Sequence, residues 1–157
     1  MSVVQSTYEE RIAQAVAGQV ANETDWSADT GNCETEAGIG FGVVVGQGAA
    51  DKGVVLGAAT AAGFRGVSLR DVTLPPSQVD KYAKGQNVGI LNRGDIWVTV
   101  GAAVQAGENA TFVATTGVLS SAASSGSQFE IAGARWMTSA APGGLAMLRL
   151  SGHLPSA

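Results

Sequence analysis

"GIGFGVVVGQG", Gly38 to Gly48, places five glycines in eleven residues around three consecutive valines. Two readings compete for it: a loop that cradles nucleotide phosphates, or packed β-structure whose backbone must approach something closely. A dinucleotide turn needs Gly-x-Gly-x-x-Gly opening a helix, because amides at the helix start hold the pyrophosphate. Counting six positions from Gly38, Gly40 or Gly46 ends on Val43, Val45 or Asp51, so the last glycine is missing in every register. Lys52 is followed by Gly53 and not by Ser or Thr, which removes the Walker alternative. The β reading remains. Gly38, Gly40 and Gly42 then share one bare strand face, with Ile39, Phe41 and Val43 on the other, while Gly46 and Gly48 begin a turn. Gly40 and Gly42 are accordingly candidate subunit contacts, or positions near a barrel seam.

The same punctuation continues downstream. Short runs at 54–56, 64–68, 88–91, 96–100, 110–113, 129–131, 134–137 and 145–150 alternate with Gly, Pro, Ser or Asn, which predicts an all-β barrel or sandwich. The connection between 68 and 88 holds Pro75-Pro76, and 116–127 reads as an exposed Ser/Ala/Gly loop.

Residues 1–36 differ in kind. They carry seven acids against one base, whereas 37–157 carry six acids against eight bases. Tyr8, Ile12, Val16 and Val20 recur every four residues, but Gly18 interrupts the pattern, so at best a short helix is expected. Trp26 stands alone among polar residues. This divides the chain into an N-terminal arm, 1–36, and a β-domain, 37–157. Tyr8, Ile12, Val16, Val20 and Trp26 are the arm's candidate anchors on another surface, the alternative being that the arm folds back on its own domain. The acids point either to a basic partner surface or to a solvated tail.

Composition excludes several classes. The 157 residues suit one domain, and only 14% are charged, for a net charge of −4. No basic stripe is available to displace counterions, so nucleic acid is not an expected partner. No apolar run approaches the roughly 18 residues that span a bilayer, so no membrane contact is expected. Cys33 is the single cysteine and His153 the single histidine, which leaves no triad and no zinc set; no metal, no cofactor and no catalytic residue is assigned. Carboxylate pairs such as Asp71 with Asp80, or Asp95 with Glu108, keep a two-carboxylate hydrolase as a distant rival. "NRGD", Asn92–Asp95, contains an adhesion tripeptide, but its place between two strand-like runs predicts a hairpin connection. The sequons at Asn22 and Asn109 carry no weight without a secretory signal. Trp97 and Trp136 are core candidates first and subunit contacts second.

"GDIWV" at 94–98, "AGE" at 106–108, "GARW" at 133–136 and "SAAPGGLA" at 139–146 resemble the structural cement, or head decoration, proteins of tailed bacteriophages. "AGIGFGVVVGQG" and "FRGVSLRD" resemble that family's first strands, so the likeness covers about residues 15 to 150. The resemblance implies a small, β-tulip-like domain, made in the host cytoplasm, that binds the outer surface of the major capsid protein lattice. It also implies self-association, as a homotrimer in first place and a homodimer in second. The rival function is a β-rich receptor- or carbohydrate-binding module of a virion tail or fibre.

Overall fold

The structure, a computed structural model, describes residues 15–74 and 80–152. Tyr8, Ile12, Pro75-Pro76 and His153 lie outside these residues. The described chain is all-β, with one 3-10 turn, Ala61–Gly63. Its strands are β1 (Val20–Cys33), β2 (Ile39–Gly40), β3 (Val44–Gln47), β4 (Gly53–Leu56), β5 (Phe64–Ser68), β6 (Lys81–Tyr82), β7 (Asn87–Thr99), β8 (Asn109–Val113), β9 (Leu119–Ser120), β10 (Gln128–Trp136) and β11 (Leu145–Ser151). Nine of them form one mixed sheet in the order β1-β4-β3-β5-β7-β11-β10-β8-β9, and β2 pairs with β6 apart from it. β1 pairs with β4 in parallel and with β7 antiparallel, so the hydrogen bonding runs from β1 through β4, β3, β5 and β7 back to β1.

Several strands differ from the sequence reading. The glycine-rich segment is not one strand with a bare face. Gly38 and Gly42 have positive φ, +84° and +69°, so the chain turns before β2 and again between β2 and β3. Ser68 satisfies the break: its carbonyl accepts from the Gly42 amide at 2.9 Å and its hydroxyl oxygen from the Val43 amide at 3.1 Å. Asn92–Asp95 is no hairpin connection either, because β7 runs straight through it. β11 pairs along one side from Arg93 to Thr99, and β1 lies along the other, two distant segments that a local pattern cannot reveal. Gly94, at φ +122°, takes up the irregularity. Gly133 does the same inside β10, joining two runs that the sequence reading separates. In 116–127, Leu119 and Ser120 are buried as β9 against β8, so that stretch is not wholly an exposed loop.

Residues 20–33, read as part of an extended arm, are the 14-residue strand β1. Residues 15–19 form a turn leading into it and no helix. The pairing of β1 with β7 slips twice between Asn22 and Ala28, so residues 23–26 bulge outward. Three acids on and just after β1 find partners in the same chain. Asp25 accepts from Arg93, Asp29 from Arg65 at 2.6 Å, and Glu36 pairs with Lys84. The basic surface foreseen for this segment is therefore, for these three residues, its own β-domain.

The core divides into two clusters. Phe112, Leu119, Trp136, Leu148, Ile96 and Val98 belong to the larger, and Ile39, Val54, Tyr82, Val88 and Ile90 to the smaller. Trp136 is fully buried, and its indole N–H donates to the Ser120 carbonyl at 3.2 Å. A ring without solvent exposure in one chain offers nothing to a second copy, so Trp136 is a core residue and not a subunit contact.

Candidate functional site

Three large apolar side chains stand out as exposed among the described residues: Val16 (42%), Trp26 (46%) and Val72 (87%). All three line one groove, which Val20 and Leu69 also line. The groove owes its shape to the backbone at Gly18. Its N–H donates to the Trp97 carbonyl at 2.8 Å, and its carbonyl accepts from the Arg70 amide at 2.9 Å, so the entering chain is clipped between β7 and the segment after β5. A β-carbon at Gly18 would sit 2.8 Å from the Arg70 nitrogen, and its φ of +83° is one that side chains disfavour. The turn it makes sets Val16 on one wall. Val20 and Leu69 pack against the larger core cluster and join the groove to the rigid interior.

Val72 is presented by a short turn. The Thr73 hydroxyl and amide both donate to Asp71, at 2.6 and 2.8 Å, and hold that carboxyl below its ordinary pKa, the hydroxyl contributing most. Beside it, the Arg70 guanidinium lies 5.2 Å from the Phe41 ring centre and donates to Asp80 at 2.9 Å. Opposite, Trp26 stands at the edge of the β1 bulge. The backbone beneath it is Gly94.

A polar cleft, lined by Asn22, Thr24, Asp25, Arg93, Asp95 and Arg149, lies along the same part of β1 and β7. One Arg93 nitrogen donates to both oxygens of Asp25, at 2.7 and 2.8 Å. Arg149 grips Asp95 with two parallel bonds of 2.8 and 2.9 Å. Asp95 is only 5% exposed. The tripeptide Arg93-Gly94-Asp95 is thus a structural element whose carboxylate is taken by an arginine of its own sheet, which removes the adhesion reading.

The opening glycines do admit a close approach, but from within the chain. A β-carbon at Gly42 would meet the Gly18 nitrogen at 2.9 Å, and one at Gly46 would overlap the Gly57 carbonyl. Gly42 is buried there, so it is an internal contact rather than a contact between subunits. Gly40 lies in β2, opposite Lys81, and keeps more open space. The turn after Gly48 does hold an anion, namely the carboxylate of Glu34. It accepts from the Ala49 amide at 2.7 Å and the Ala50 amide at 2.9 Å. These bonds, Ala50's first, keep the Glu34 carboxyl below the usual range.

The sequence-derived anchors Val16, Val20 and Trp26 are brought together by this geometry. Leu69 and Val72 were missed, since a leucine and a valine in "SLRDVTLPP" carry no periodic signal. Trp97 is half-buried on β7, paired across to Met147, which is half-buried as well. The paired carboxylates weighed for hydrolysis go to different partners: Asp71 to Thr73, Asp80 to Arg70, Asp95 to Arg149 and Glu108 to the Gln105 amide. Among the described residues no three His, Cys, Asp or Glu side chains gather into a metal site, and no helix is long and apolar enough to cross a membrane.

Residues 4–151 match the family model described as structural cement protein (E217 gp24/Pam3 gp6). Among solved structures, a chain from the capsid of Myoviridae phage XM1 superposes with a TM-score of 0.77 at 17% identity, over 98% of this chain and 100% of that one. A second, the head fiber gp8.5 N base of bacteriophage phi29, gives a TM-score of 0.52 at 15% identity, over 84% of this chain and 100% of that one. At these identities both show a shared fold. No curated protein matches the chain in sequence.

Proposed function

Because this chain belongs to the structural cement protein family of tailed phages, we propose that it binds the outer surface of the major capsid protein lattice and stabilises the mature head. As a member of a structural family it is not an enzyme. The observation that carries the reading is the convergence of Val16, Trp26 and Val72 on one groove. Three exposed large apolar side chains, converging where the other described residues offer none, mark a surface that is covered in the working state. The occupant is an apolar side chain of the shell protein. Tyr8 and Ile12, the remaining anchors expected from the sequence, are proposed to bind the same shell protein.

The mechanism is thermodynamic. A protein that binds the assembled lattice but not its separated parts shifts stability toward assembly by about 2.7 kcal/mol per site at a hundredfold excess over Kd. Self-association multiplies each modest contact through effective concentration; a homotrimer is favoured, with a homodimer as runner-up. Gly40 and the half-buried Trp97 are the subunit contacts in this reading. The circuit of pairings from β1 through β4, β3, β5 and β7 back to β1 supports a small barrel as the body that carries the groove.

Co-sedimentation with expanded shells tests the proposal. Trp26→Ala and Val72→Asp should each weaken shell binding at least tenfold while leaving the circular dichroism of the β-domain unchanged. Undiminished binding by both variants rules the groove out as the contact.

A further inference from the structure

The groove is assembled from two pieces of chain. Val16, Val20 and Trp26 come from residues 16–26, and Leu69 and Val72 from the connection after β5. Val20 at the start of β1 and Gly31 and Cys33 at its end are tied to the core, but the stretch between them has little buried surface to hold it in place. Residues 22–30 of β1 are all exposed, so hydrogen bonds to β7 and side-chain ion pairs fix the strand. Those pairs reach separate elements of the body: Asp25 to Arg93 on β7, Asp29 to Arg65 on β5, and Glu36 to Lys84 just before β7. Lys52, in the turn between β3 and β4, adds attraction for Asp29, and the amides of Ala49 and Ala50 in that turn hold Glu34. Acids sit on one side of every such ion pair and bases on the other.

We propose that residues 22–30 are an electrostatic strap whose docking onto Arg93 and Arg65 sets Trp26 into the apolar groove, so that these ion pairs regulate shell binding without touching the shell. The regulatory half of this inference rests on the groove being the shell contact. A partner that needs the complete groove binds only molecules with the strap docked, so its apparent affinity falls in proportion to the docked fraction. An exposed pair shifts such an equilibrium by up to about fivefold, and reversing one of its charges shifts it further by adding repulsion. Asp25–Arg93 is the more informative of the two, since it lies one residue from both Trp26 and Gly94.

The test uses the full chain with Arg93→Asp, Asp25→Arg and the double exchange of both. Amide hydrogen exchange of β1 is measured against β8 and β10, Trp26 emission is followed by fluorescence, and shell binding by co-sedimentation. Each single reversal should speed β1 exchange at least fivefold relative to β8 and β10 and weaken shell binding by a similar factor. The double exchange should restore both. Raising salt from about 0.05 M to about 1 M should loosen β1 in the unaltered protein, because exposed pairs are screened. β1 exchange that ignores both reversals and salt, or a double exchange that restores nothing, overturns the strap. If β1 and Trp26 respond while neither Arg93→Asp nor Trp26→Ala affects sedimentation with shells, the strap stands and the shell-contact reading falls.

Discussion

Gly94 and Trp26 touch across the β7–β1 pairing so closely that a β-carbon on residue 94 would lie 2.7 Å from the Trp26 β-carbon. Gly94 also sits at φ +122°, where side chains are rare. The bulge that carries the exposed tryptophan therefore rests on bare backbone. Gly94→Ala meets both a steric and a conformational penalty, and should cost about 2 kcal/mol of stability. Thermal melting reads the loss, and a shift in Trp26 emission reports that the bulge has lifted; an unchanged spectrum and midpoint would contradict the packing described.

Gly53 faces the carboxylate of Glu34, which a β-carbon there would overlap. Gly53→Ala should evict Glu34 from the Ala49 and Ala50 amides and lower the melting midpoint, since two donors exchange a charged acceptor for water. Glu34→Ala should lower it by a similar amount, and the double variant by little more than either alone. Additive losses in a denaturant-melt cycle would mean that the two residues act independently.

Trp136 is fully buried and anchored to the Ser120 carbonyl. Trp136→Phe removes that hydrogen bond and leaves a void, so a loss of about 2–4 kcal/mol is expected. Because no part of the ring reaches solvent, the affinity of the folded variant for shells should be unchanged. A change in binding at temperatures where the variant is fully folded would reopen its role in contacts between chains.

Asp29 is held below its ordinary pKa, by the Thr30 amide first and by Arg65 as well, and Glu34 by the Ala50 and Ala49 amides. For both, the folded state favours the charged form, so their contribution is fully present above the unfolded carboxylate range. It is lost as pH falls below about 4.5 and through the lower folded values. Stability should thus decline on acidification, with β1 amides near Asp29 exchanging before those of β8 and β10. Exchange across the sheet that rises uniformly between about pH 6 and about pH 3 would count against a locally held strap.

Short-range chemistry in the chain was enough for the all-β class, because strand runs of three to six residues bounded by turn formers state it locally. β4, β5, β8 and β11 fall where those runs predict. The absence of a phosphate loop was equally legible from spacing, Val16 and Val20 stood out by their four-residue recurrence, and Trp26 as a lone apolar residue in a polar setting. Only the tertiary structure decided what lies beside them. β7 passes through Arg93-Gly94-Asp95 because β11 and β1, which are remote in sequence, supply pairing on both of its sides. The acidic segment is a strand along β7 and β4, where Arg65, Lys84 and Arg93, scattered over the later chain, come together as its counter-charges. Leu69 and Val72 complete the groove for the same reason: pairing and charge neutralisation between distant residues depend on where the fold brings them, and no local pattern encodes that distance.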